Sequence, residues 1–563
     1  MYELSDAHKA RYAIHQFKVI TDSLAIRGFY RPSGKFGKSL ENCLKSLSPE
    51  IYGSMNDPRV VELKGLEYVI DRLPRGIEEC TRVILTEEDH FSDSPFEKIQ
   101  PFKRRRTSYR ISDKEICFVI SRGLSEIYDI LTHMTFLNSE AKKIHGKMRD
   151  DSENITVEWA ELEKTAQNKG RLSREKLDQA LWNLSIILGR TYGETRETYE
   201  YLEKTRAEFK ANNGLFSLVY HLGKRVDEES RSRENVLVVY LTPSLMNIIG
   251  HQKYGRQWGV DLKNKMLEMG LQGRPVHIVS SNLHSVVNTL YAYAAVKEIH
   301  PEISALGPYE FFDALRDHGD DVLAFAIQNG VHPMPDKSGT HIDCQIIDTA
   351  PLKCVELHPD LDIDTCALES NPPVILVMDY AFGAQAFELM ENLLKPLKTE
   401  NGEVRFDFRS VSVMGKAGIL PGAEGDIMLA SAHVFEGTSD NYIFENDIVR
   451  EDFSETTNVF IGPMVTVLGT SLQNRDVLVK LQEDWKTVGL EMEGGHYQRA
   501  ISAAIIKGNI PRDIKVRYAY YASDNPLSSG HTLAAGALGK EGVRPTYMIT
   551  KAILQKVLGH KTV

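Results

Sequence analysis

The C-terminal part of the sequence consists of short, almost continuously apolar runs that alternate with helical stretches. Apolar runs of this kind are typical of strands that are covered on both faces. Because helical sequence lies between the runs, the pattern predicts an α/β fold, with an α/β/α sandwich around one mixed sheet. The runs lie at 344–348, 374–378, 411–414, 427–430, 464–468 and 516–522, and the helical stretches at 384–395, 475–486 and 493–507.

The first third of the chain has a helical period instead. Apolar residues in the segment 114–137 recur at steps of three and four, which predicts one long helix there. Ser173 precedes a second run of this kind and is interpreted as its N-cap. Short β-branched runs at 236–241 and 276–280 then begin a strand–helix alternation, and a turn-rich segment at 330–339 suggests a boundary. We therefore predict three regions: a helical N-terminal domain (1–215), an α/β intermediate region (216–335) and a C-terminal α/β domain (336–563).

Bulk composition limits the kinds of partner and compartment. At 563 residues the chain is longer than one hydrophobic core usually serves. A net charge of -11 argues against binding a nucleic-acid polymer and fits a small substrate better. No apolar run of signal or membrane-spanning type is present, so a cytoplasmic protein without membrane contact is expected. Neither a disulfide framework nor a metal site is implied by the scattered cysteines, Cys43, Cys80, Cys117, Cys344, Cys354 and Cys366.

The tripeptide Glu491-Met492-Glu493 is the first candidate for chemistry. A carboxylate can accept hydrogen bonds from both hydroxyls of a ribose diol, and a methionine beside it offers an apolar wall to the sugar. The alternative is a solvated helix face, which is what most Glu-x-Glu sequences are. Two glycines follow at 494 and 495. They favour a close approach of backbone or ligand at the start of the next helix.

Asp524 is the second candidate, because it ends an apolar run and is followed by Asn525-Pro526. Ligands of open α/β sheets bind beyond the carboxyl ends of strands. An acid placed there can protonate, or donate a hydrogen bond to, a purine nitrogen as the base departs. The alternative is an Asx-turn or a helix cap.

Two glycine-bearing segments, 379–385 and 414–418, are predicted to be turns that follow strands. Such turns can direct backbone N–H groups at an anion, and Lys416 adds a positive charge. Simple turns are the alternative, since neither segment matches a complete phosphate-binding motif. His277 and His284, on either side of another strand-to-helix turn, are interpreted as structural.

Taken together and in this order, these elements resemble the nucleoside phosphorylase superfamily, and most closely its AMP nucleosidase branch. The segment 374–385 resembles the family's strand and Gly-x-Gly turn, and 413–430 resembles its Gly-x-x-Gly loop and the Gly-Asp-Ile strand that follows. The segment 465–472 is similar to its base-pocket strand, and 490–494 to its ribose-binding Glu-Met-Glu. Ser523-Asp-Asn-Pro-Leu resembles the Ser-Asp catalytic turn, after which a glycine-containing tail at 528–542 follows as in AMP nucleosidases.

The resemblance implies a nucleoside-phosphorylase-like C-terminal domain and a role for each matching residue. Asp524 is implied as the acid at the purine, and Glu493, Met492 and Glu491 are implied at the ribose. The residues implied near the phosphate or nucleophile are Gly383, Lys416 and Gly418, and those implied near the base are Thr470, Ser471, Leu472 and Asn525. No cofactor and no metal are implied.

The sequence departs from the family pattern in the residues that would hold a phosphate nucleophile. Val413 stands where phosphorylases commonly have an arginine, and Lys416 stands where the family often has serine or histidine. Tyr380 and Ala381 replace the first glycine of the Gly-x-Gly turn. Water is therefore favoured over phosphate as the nucleophile.

The leading hypothesis is hydrolysis of the N-glycosidic bond of a purine nucleotide or nucleoside, with AMP as the preferred candidate. Two alternatives stay open, a phosphate-dependent purine nucleoside phosphorylase and a nucleotide sensor without catalytic activity. Resemblance to the superfamily also implies a homo-oligomer. The helical N-terminal region, which contains no catalytic pattern, is expected to serve assembly or regulation.

Overall fold

The computed structural model describes residues 5–103, 106–168, 170, 172–248, 252–365, 368, 371–454, 456–528 and 540–559. Most of the glycine-containing tail at 528–542 lies outside these residues. Two compact units make up the chain. The first comprises Met1–His251 with Ser471–Val477, and the second comprises Gln252–Thr470 with Leu478–Val563. The structure thus divides the chain differently from the three predicted regions.

The first unit combines helices with a six-stranded sheet. Across the sheet the strands follow the order Phe29–Tyr30, Val238–Leu241, Arg82–Thr86, Glu115–Val119, Ser108–Ser112 and Glu97–Ile99, and the second, third and fourth of these run parallel. Its helices are α1 (Asp6–Arg27), α2 (Lys35–Leu47), α3 (Leu63–Ile70), α4 (Leu124–His145), α5 (Val157–Gln167), α6 (Arg174–Leu188), α7 (Tyr192–Phe209), α8 (Leu215–Arg231) and α9 (Pro243–Ile248). Its strands are β1 (Phe29–Tyr30), β2 (Arg82–Thr86), β3 (Glu97–Ile99), β4 (Ser108–Ser112), β5 (Glu115–Val119) and β6 (Val238–Leu241).

The prediction of a helical N-terminal domain at 1–215 is incomplete, because five strands of this sheet, β1 to β5, lie within it as well as helices. The expected single helix at 114–137 is a strand, β5, followed by α4. Gly123, at φ 68°, separates the two elements. The apolar residues before it, at 116–119, are buried within β5. Ser173 is the N-cap of α6, as predicted, and its side chain accepts a hydrogen bond from the N–H of Lys176.

The second unit contains the predicted α/β domain together with residues that precede it. Its helices are α10 (Lys253–Glu268), α11 (Leu283–Val296), α12 (Pro301–Ser304), α13 (Pro308–Ala314), α14 (Gly319–Gln328), α15 (Gln385–Leu393), α16 (Arg475–Trp485, whose first residues belong to the first unit), α17 (Gly494–Ile506) and α18 (Val543–Leu558). Its strands are β7 (Pro275–Ser280), β8 (Val331–Met334), β9 (Cys344–Asp348), β10 (Val374–Met378), β11 (Leu397–Thr399), β12 (Gly402–Val404), β13 (Asp407–Ile419), β14 (Ile427–Phe435), β15 (Asn441–Ile443), β16 (Val459–Thr466), β17 (Gly489–Glu491) and β18 (Lys515–Asp524).

Each of the predicted strands and helices at 344–522 has a counterpart in this unit, and the sheet is mixed, as expected. The boundary expected at 330–339 is not a linker, since β8 lies there and pairs with β9. None of the helices in the described parts of the chain is long and apolar enough to cross a membrane.

One half of the large sheet closes on itself. β13 pairs with β18, β18 with β14, β14 with β16, β16 with β17, and β17 again with β13. These five strands form a closed circuit, a small barrel. From β13 the sheet continues as an open layer through β7, β10, β9 and β8. The long strand β13 therefore belongs to both the barrel and the open layer.

Side chains of the open layer alternate between two apolar clusters, one on each face. On β10, Val374, Leu376 and Met378 belong to one cluster, whereas Ile375 and Val377 belong to the other. Helices α10, α15 and α17 cover the first face, and α11, α14 and α18 cover the second. This is the three-layer sandwich that the continuous apolar runs predict.

Candidate active site

Two of the predicted motifs lie on the two strands that flank the end of β13. Gly418 pairs in register with Asp524 of β18 on one side and with Leu490 of β17 on the other. Neighbouring strands lie about 5 Å apart, so the Cα atoms of Asp524 and Leu490 are separated by roughly 10 Å across Gly418. The Ser-Asp segment and the start of the Glu-Met-Glu segment thus flank one glycine at a separation comparable with the length of a nucleoside.

The segment 414–418 is part of a strand, so the prediction of a turn there is wrong. Gly415 and Lys416 pair in register with Tyr520 and Tyr521 of β18. This long parallel pairing keeps the segment extended, and its backbone groups face neighbouring strands instead of forming an anion-binding loop. Lys416 is exposed. A role for Lys416 and Gly418 beside a phosphate or nucleophile stays a prediction.

The segment 379–385 is a turn, as expected, and it contacts the predicted ribose carboxylate. The N–H of Gly383 donates a hydrogen bond of 2.8 Å to Oε1 of Glu493. Gly383 has φ 54°, a left-handed conformation that favours glycine. The structure therefore joins two predicted site residues, 110 positions apart, through one charge-assisted contact.

Glu491 is buried, and its carboxylate is held by neighbours within the protein. It accepts hydrogen bonds from the hydroxyl of Thr466 and from the N–H groups of Glu493 and Gly494, and His433 lies 3.4 Å from Oε1. Burial acts to raise the pKa of Glu491, but the contacts with His433, Thr466 and Gly494 outweigh it and lower the pKa. Glu491 thus fixes the start of α17, whereas a ribose contact from it stays a prediction.

The two glycines at the start of α17 allow close packing of the helix on the barrel. A Cβ on Gly494 would lie 2.3 Å from the hydroxyl of Tyr520, and one on Gly495 would lie 2.4 Å from the hydroxyl of Thr466. Any larger residue at either position would push the helix away. The backbone approach that the sequence suggested is therefore an approach to the barrel itself.

Asp524 is fully buried at the last position of β18. Its Oδ1 accepts a hydrogen bond of 2.7 Å from the hydroxyl of Ser523. The next residue, Asn525, donates from Nδ2 to the carbonyls of Leu420 and Gly422, and its Oδ1 accepts from the N–H of Leu527. Asn525 thereby ties the Asn-Pro turn to the end of β13 and positions Asp524. A base contact from Asn525 stays a prediction.

The remaining predicted residues lie in different surroundings. Met492 is half-buried directly after β17. Thr470 belongs to the second unit, whereas Ser471 and Leu472 are buried members of the first unit. Their segment is fixed there by hydrogen bonds from Asn474 to the carbonyls of residues 47 and 48. A base contact from Thr470, Ser471 or Leu472 stays a prediction.

Sequence reasoning missed Glu436, at the end of β14. Its carboxylate accepts a hydrogen bond of 3.1 Å from the N–H of Leu468, within the predicted base-binding segment. Burial raises the pKa of Glu436 to about 7, so this carboxyl group is partly protonated at neutral pH. It can then donate a hydrogen bond as well as accept one. Its position directly after an apolar strand was the available signal.

Sequence reasoning also missed a cavity of about 820 Å³ beside β7 and β10. His284, interpreted as structural, is exposed and lines it, whereas His277 is hydrogen-bonded to the hydroxyl of Ser410 within the sheet. None of the eleven residues predicted from the family motifs is among the described residues that line this cavity.

Comparison with solved structures finds nucleosidases and phosphorylases at low similarity. The 5'-methylthioadenosine/S-adenosyl homocysteine nucleosidase of Campylobacter jejuni is 10% identical, with a TM-score of 0.30 over 51% of this chain and 99% of that chain. Uridine phosphorylase of Schistosoma mansoni in complex with thymidine is 12% identical, with a TM-score of 0.29 over 50% and 85%. A putative methylthioadenosine nucleosidase from Weissella paramesenteroides is 11% identical, with a TM-score of 0.29 over 50% and 97%. Likeness at this level carries no functional assignment.

The sequence itself matches a family model along most of its length. None of the curated proteins matches it. The family model, described as a family of unknown function, DUF6909, matches residues 38–303 and 312–559. The two matched segments cover most of both compact units, including the barrel, the open layer and every predicted site residue. The chain therefore belongs to DUF6909, a family of unknown function.

Proposed function

We propose that the chain cleaves the N-glycosidic bond of a purine nucleotide or nucleoside by hydrolysis, with AMP as the preferred substrate. The observation that carries the proposal is the pairing of Gly418 with both Asp524 and Leu490. An acid and the ribose-binding segment are thereby held on the two sides of one strand.

In the proposed reaction, the bond between C1' of the ribose and the purine nitrogen breaks and the bond electrons pass to the base. Asp524 supplies a proton or a hydrogen bond to the departing purine, which would otherwise carry negative charge. Water adds to C1' and loses a proton, so the products are free base and ribose or ribose 5-phosphate.

Glu493 is proposed to accept hydrogen bonds from the 2'- and 3'-hydroxyls of the ribose. Its bond from Gly383 fixes the carboxylate in one orientation before the substrate arrives, which reduces the entropy lost on binding. The hydrogen bonds that Glu491 accepts from the N–H groups of Glu493 and Gly494 hold the same segment in place.

The experiment is an incubation of the purified protein with AMP, adenosine, inosine and guanosine, each with and without phosphate, followed by chromatography of the products. Release of base without phosphate supports hydrolysis. Strict dependence on phosphate, with ribose 1-phosphate as product, would identify a phosphorylase instead. Binding of nucleotide without release of base from any substrate would contradict catalysis and favour a sensor.

A further inference from the structure

The cavity of about 820 Å³ lies where two neighbouring strands send their helices to opposite faces of the sheet. β7 and β10 are adjacent and parallel. Helix α11, after β7, packs with α14 and α18, whereas α15, after β10, packs with α10 and α17 on the other face. His284, just after β7, and Tyr380, just after β10, both line the cavity. In open α/β sheets, this divergence of helices marks the crevice in which ligands bind.

Three helices begin at this cavity. The first residues of α11, α14 and α18, which are Leu283, Gly319 and Val543, all line it. N–H groups in the first turn of a helix have no partner within the helix, and the helix dipole places partial positive charge there. The first turns of α11 and α18 contain no acidic residue, whereas that of α14 contains Asp320 and Asp321. The side chain of Asn282 accepts from one N–H of α11, that of Ser285, and Glu541 precedes α18. Within their first turns, α11 and α18 thus carry partial positive charge at the cavity that no acidic residue offsets.

Charged side chains agree with this polarity. The described lining residues include one guanidinium group, that of Arg316, and no carboxylate. Arg316 is half-exposed, and its Nε lies 3.3 Å from Oδ1 of Asp313. The planar group of arginine carries five donors and matches the geometry of phosphate oxygens. The cavity therefore suits an anion better than a cation.

Gln345 is a buried polar side chain whose Oε1 has no partner among the residues that the structure describes. It is only 6% exposed and lines the cavity. Burying a polar atom without a hydrogen-bond partner costs free energy, which indicates that a bound molecule supplies the missing hydrogen bond. The amide can be turned by 180°, so it can offer either its oxygen to a hydroxyl or its NH₂ to an anion.

The rest of the wall is aromatic and apolar. Tyr380, Tyr521 and Tyr547 line the cavity, and the ring of Tyr547 stacks on Phe312 with centroids 3.8 Å apart. Its hydroxyl accepts a hydrogen bond of 2.8 Å from Asn288. Walls of this kind suit the ring of an organic ligand, and the volume lies within the range of small-molecule sites.

We propose that this cavity binds a phosphate monoester of a sugar or nucleoside. The phosphoryl group is held by Arg316 and by the N-termini of α11 and α18, and the organic part lies against the tyrosines and Gln345. Because none of the residues predicted for glycosidic cleavage lines the cavity, this site is additional to the one around Gly418, and it does not depend on the proposed function.

The first test blocks the cavity. A Cβ on Gly319 would meet no atom within 4 Å, so Gly319→Leu can add bulk at the wall without displacing neighbours. Gly193, in α7 of the first unit, has equally open surroundings, and Gly193→Leu is the matched control. Binding of ribose 5-phosphate, adenosine and inorganic phosphate is measured by titration calorimetry. Ribose 5-phosphate is expected to bind the unaltered protein and Gly193→Leu, and to bind Gly319→Leu at least tenfold more weakly.

The second test removes the positive charge. Arg316→Gln should weaken binding of the phosphate ester at least tenfold and leave adenosine unaffected. Arg409, similarly exposed and paired with Asp407, provides the control Arg409→Gln, which should change neither affinity. The proposal is overturned if no phosphate ester binds, if inorganic phosphate alone binds, or if both Gly319→Leu and Arg316→Gln bind the ester normally. Release of base from AMP, tested separately with Asp524 variants, reports on the other site only.

Discussion

The carboxylate cluster around Gly418 and the cavity at the start of α11 belong to the same sheet, yet they differ in charge and in origin. The carboxylate cluster comprises Glu491, Glu493 and Asp524, which lie at or directly after the ends of the two strands that flank Gly418. The described lining of the second contains Arg316 and no carboxylate. The first is therefore suited to hydroxyl groups and a protonated leaving group, and the second to an anion.

The turn at 379–385 connects the two regions. Gly383 donates to Glu493 on one side, while Tyr380, three residues earlier, lines the cavity on the other. Helix α17, which begins after Glu493, covers one face of the sheet, and α11 covers the opposite face. One short turn can thus contact both regions because it lies at the carboxyl end of β10, between the two faces of the sheet.

The largest expected effect comes from Asp524→Asn, which should separate the two regions. The amide oxygen can still accept the hydrogen bond from Ser523, so the fold should be retained. Loss of the acid should lower the turnover of AMP by about 100-fold or more. The affinity for ribose 5-phosphate, measured by calorimetry, should stay unchanged.

The control for Asp524→Asn is Asp440→Asn, an exposed aspartate of the same unit. It should release base at the normal rate. Normal turnover by Asp524→Asn would remove the catalytic assignment. A tenfold loss of ribose 5-phosphate affinity in that variant would instead show that the two regions form one site.

A smaller loss is expected from Glu493→Gln. Charge-assisted hydrogen bonds contribute about 1.5–3 kcal/mol, so kcat/KM for adenosine should fall roughly 10- to 150-fold. The loss should nearly vanish with 2',3'-dideoxyadenosine, which has no hydroxyls for the carboxylate to hold. Steady-state kinetics on both substrates provide the measurement. An equal loss on the two substrates would mean that Glu493 acts only through its bond to Gly383.

The sequence allowed the strands of the second unit and the short motifs of the candidate site to be located because their signals are local. An apolar run such as 374–378 reports burial on both faces, and a short motif such as Glu-Met-Glu keeps its residues together wherever the strand lies. The N-cap Ser173 is equally local. These predictions depend on residues within a few positions of each other.

The features that were missed depend on residues far apart in the chain. Gln345, Arg316 and Val543 meet at the cavity only after the separate helices and strands around it have packed. The short strands of the first unit carry little periodic signal, and the apolar residues at 115–119 were assigned to α4. The segment 414–418 was predicted to be a turn from its glycines, but long-range pairing with β18 keeps it extended.

A moderate effect on stability is expected from Gly494→Ala, which tests the packing that supports the carboxylate cluster. The added methyl group would lie 2.3 Å from the hydroxyl of Tyr520 and 2.4 Å from Cε1 of His433. Overpacking of this kind costs about 1–3 kcal/mol. At Gly193 an added Cβ would meet no atom within 4 Å. Gly193→Ala should therefore leave the free energy of unfolding unchanged or raise it by up to about 1 kcal/mol. Urea unfolding measures both, and equal effects would show that α17 does not pack tightly on the barrel.

The smallest effect on stability is expected from Gln345→Met. Whether this change stabilises or destabilises the protein shows whether the buried amide has a partner within the fold. In the absence of ligand, this change removes a buried amide oxygen without a described partner, so it should stabilise the protein by about 1 kcal/mol. Gln498 is equally buried, but its Oε1 accepts a hydrogen bond of 3.0 Å from Tyr518. Gln498→Met should therefore destabilise the protein by about 1 kcal/mol.

Thermal unfolding with and without ribose 5-phosphate measures both variants. The ligand should raise the unfolding temperature of Gln498→Met as it does that of the unaltered protein, and should raise that of Gln345→Met less. If Gln345→Met is destabilising and still responds fully to the ligand, the amide stabilises the fold and does not contact the bound ligand.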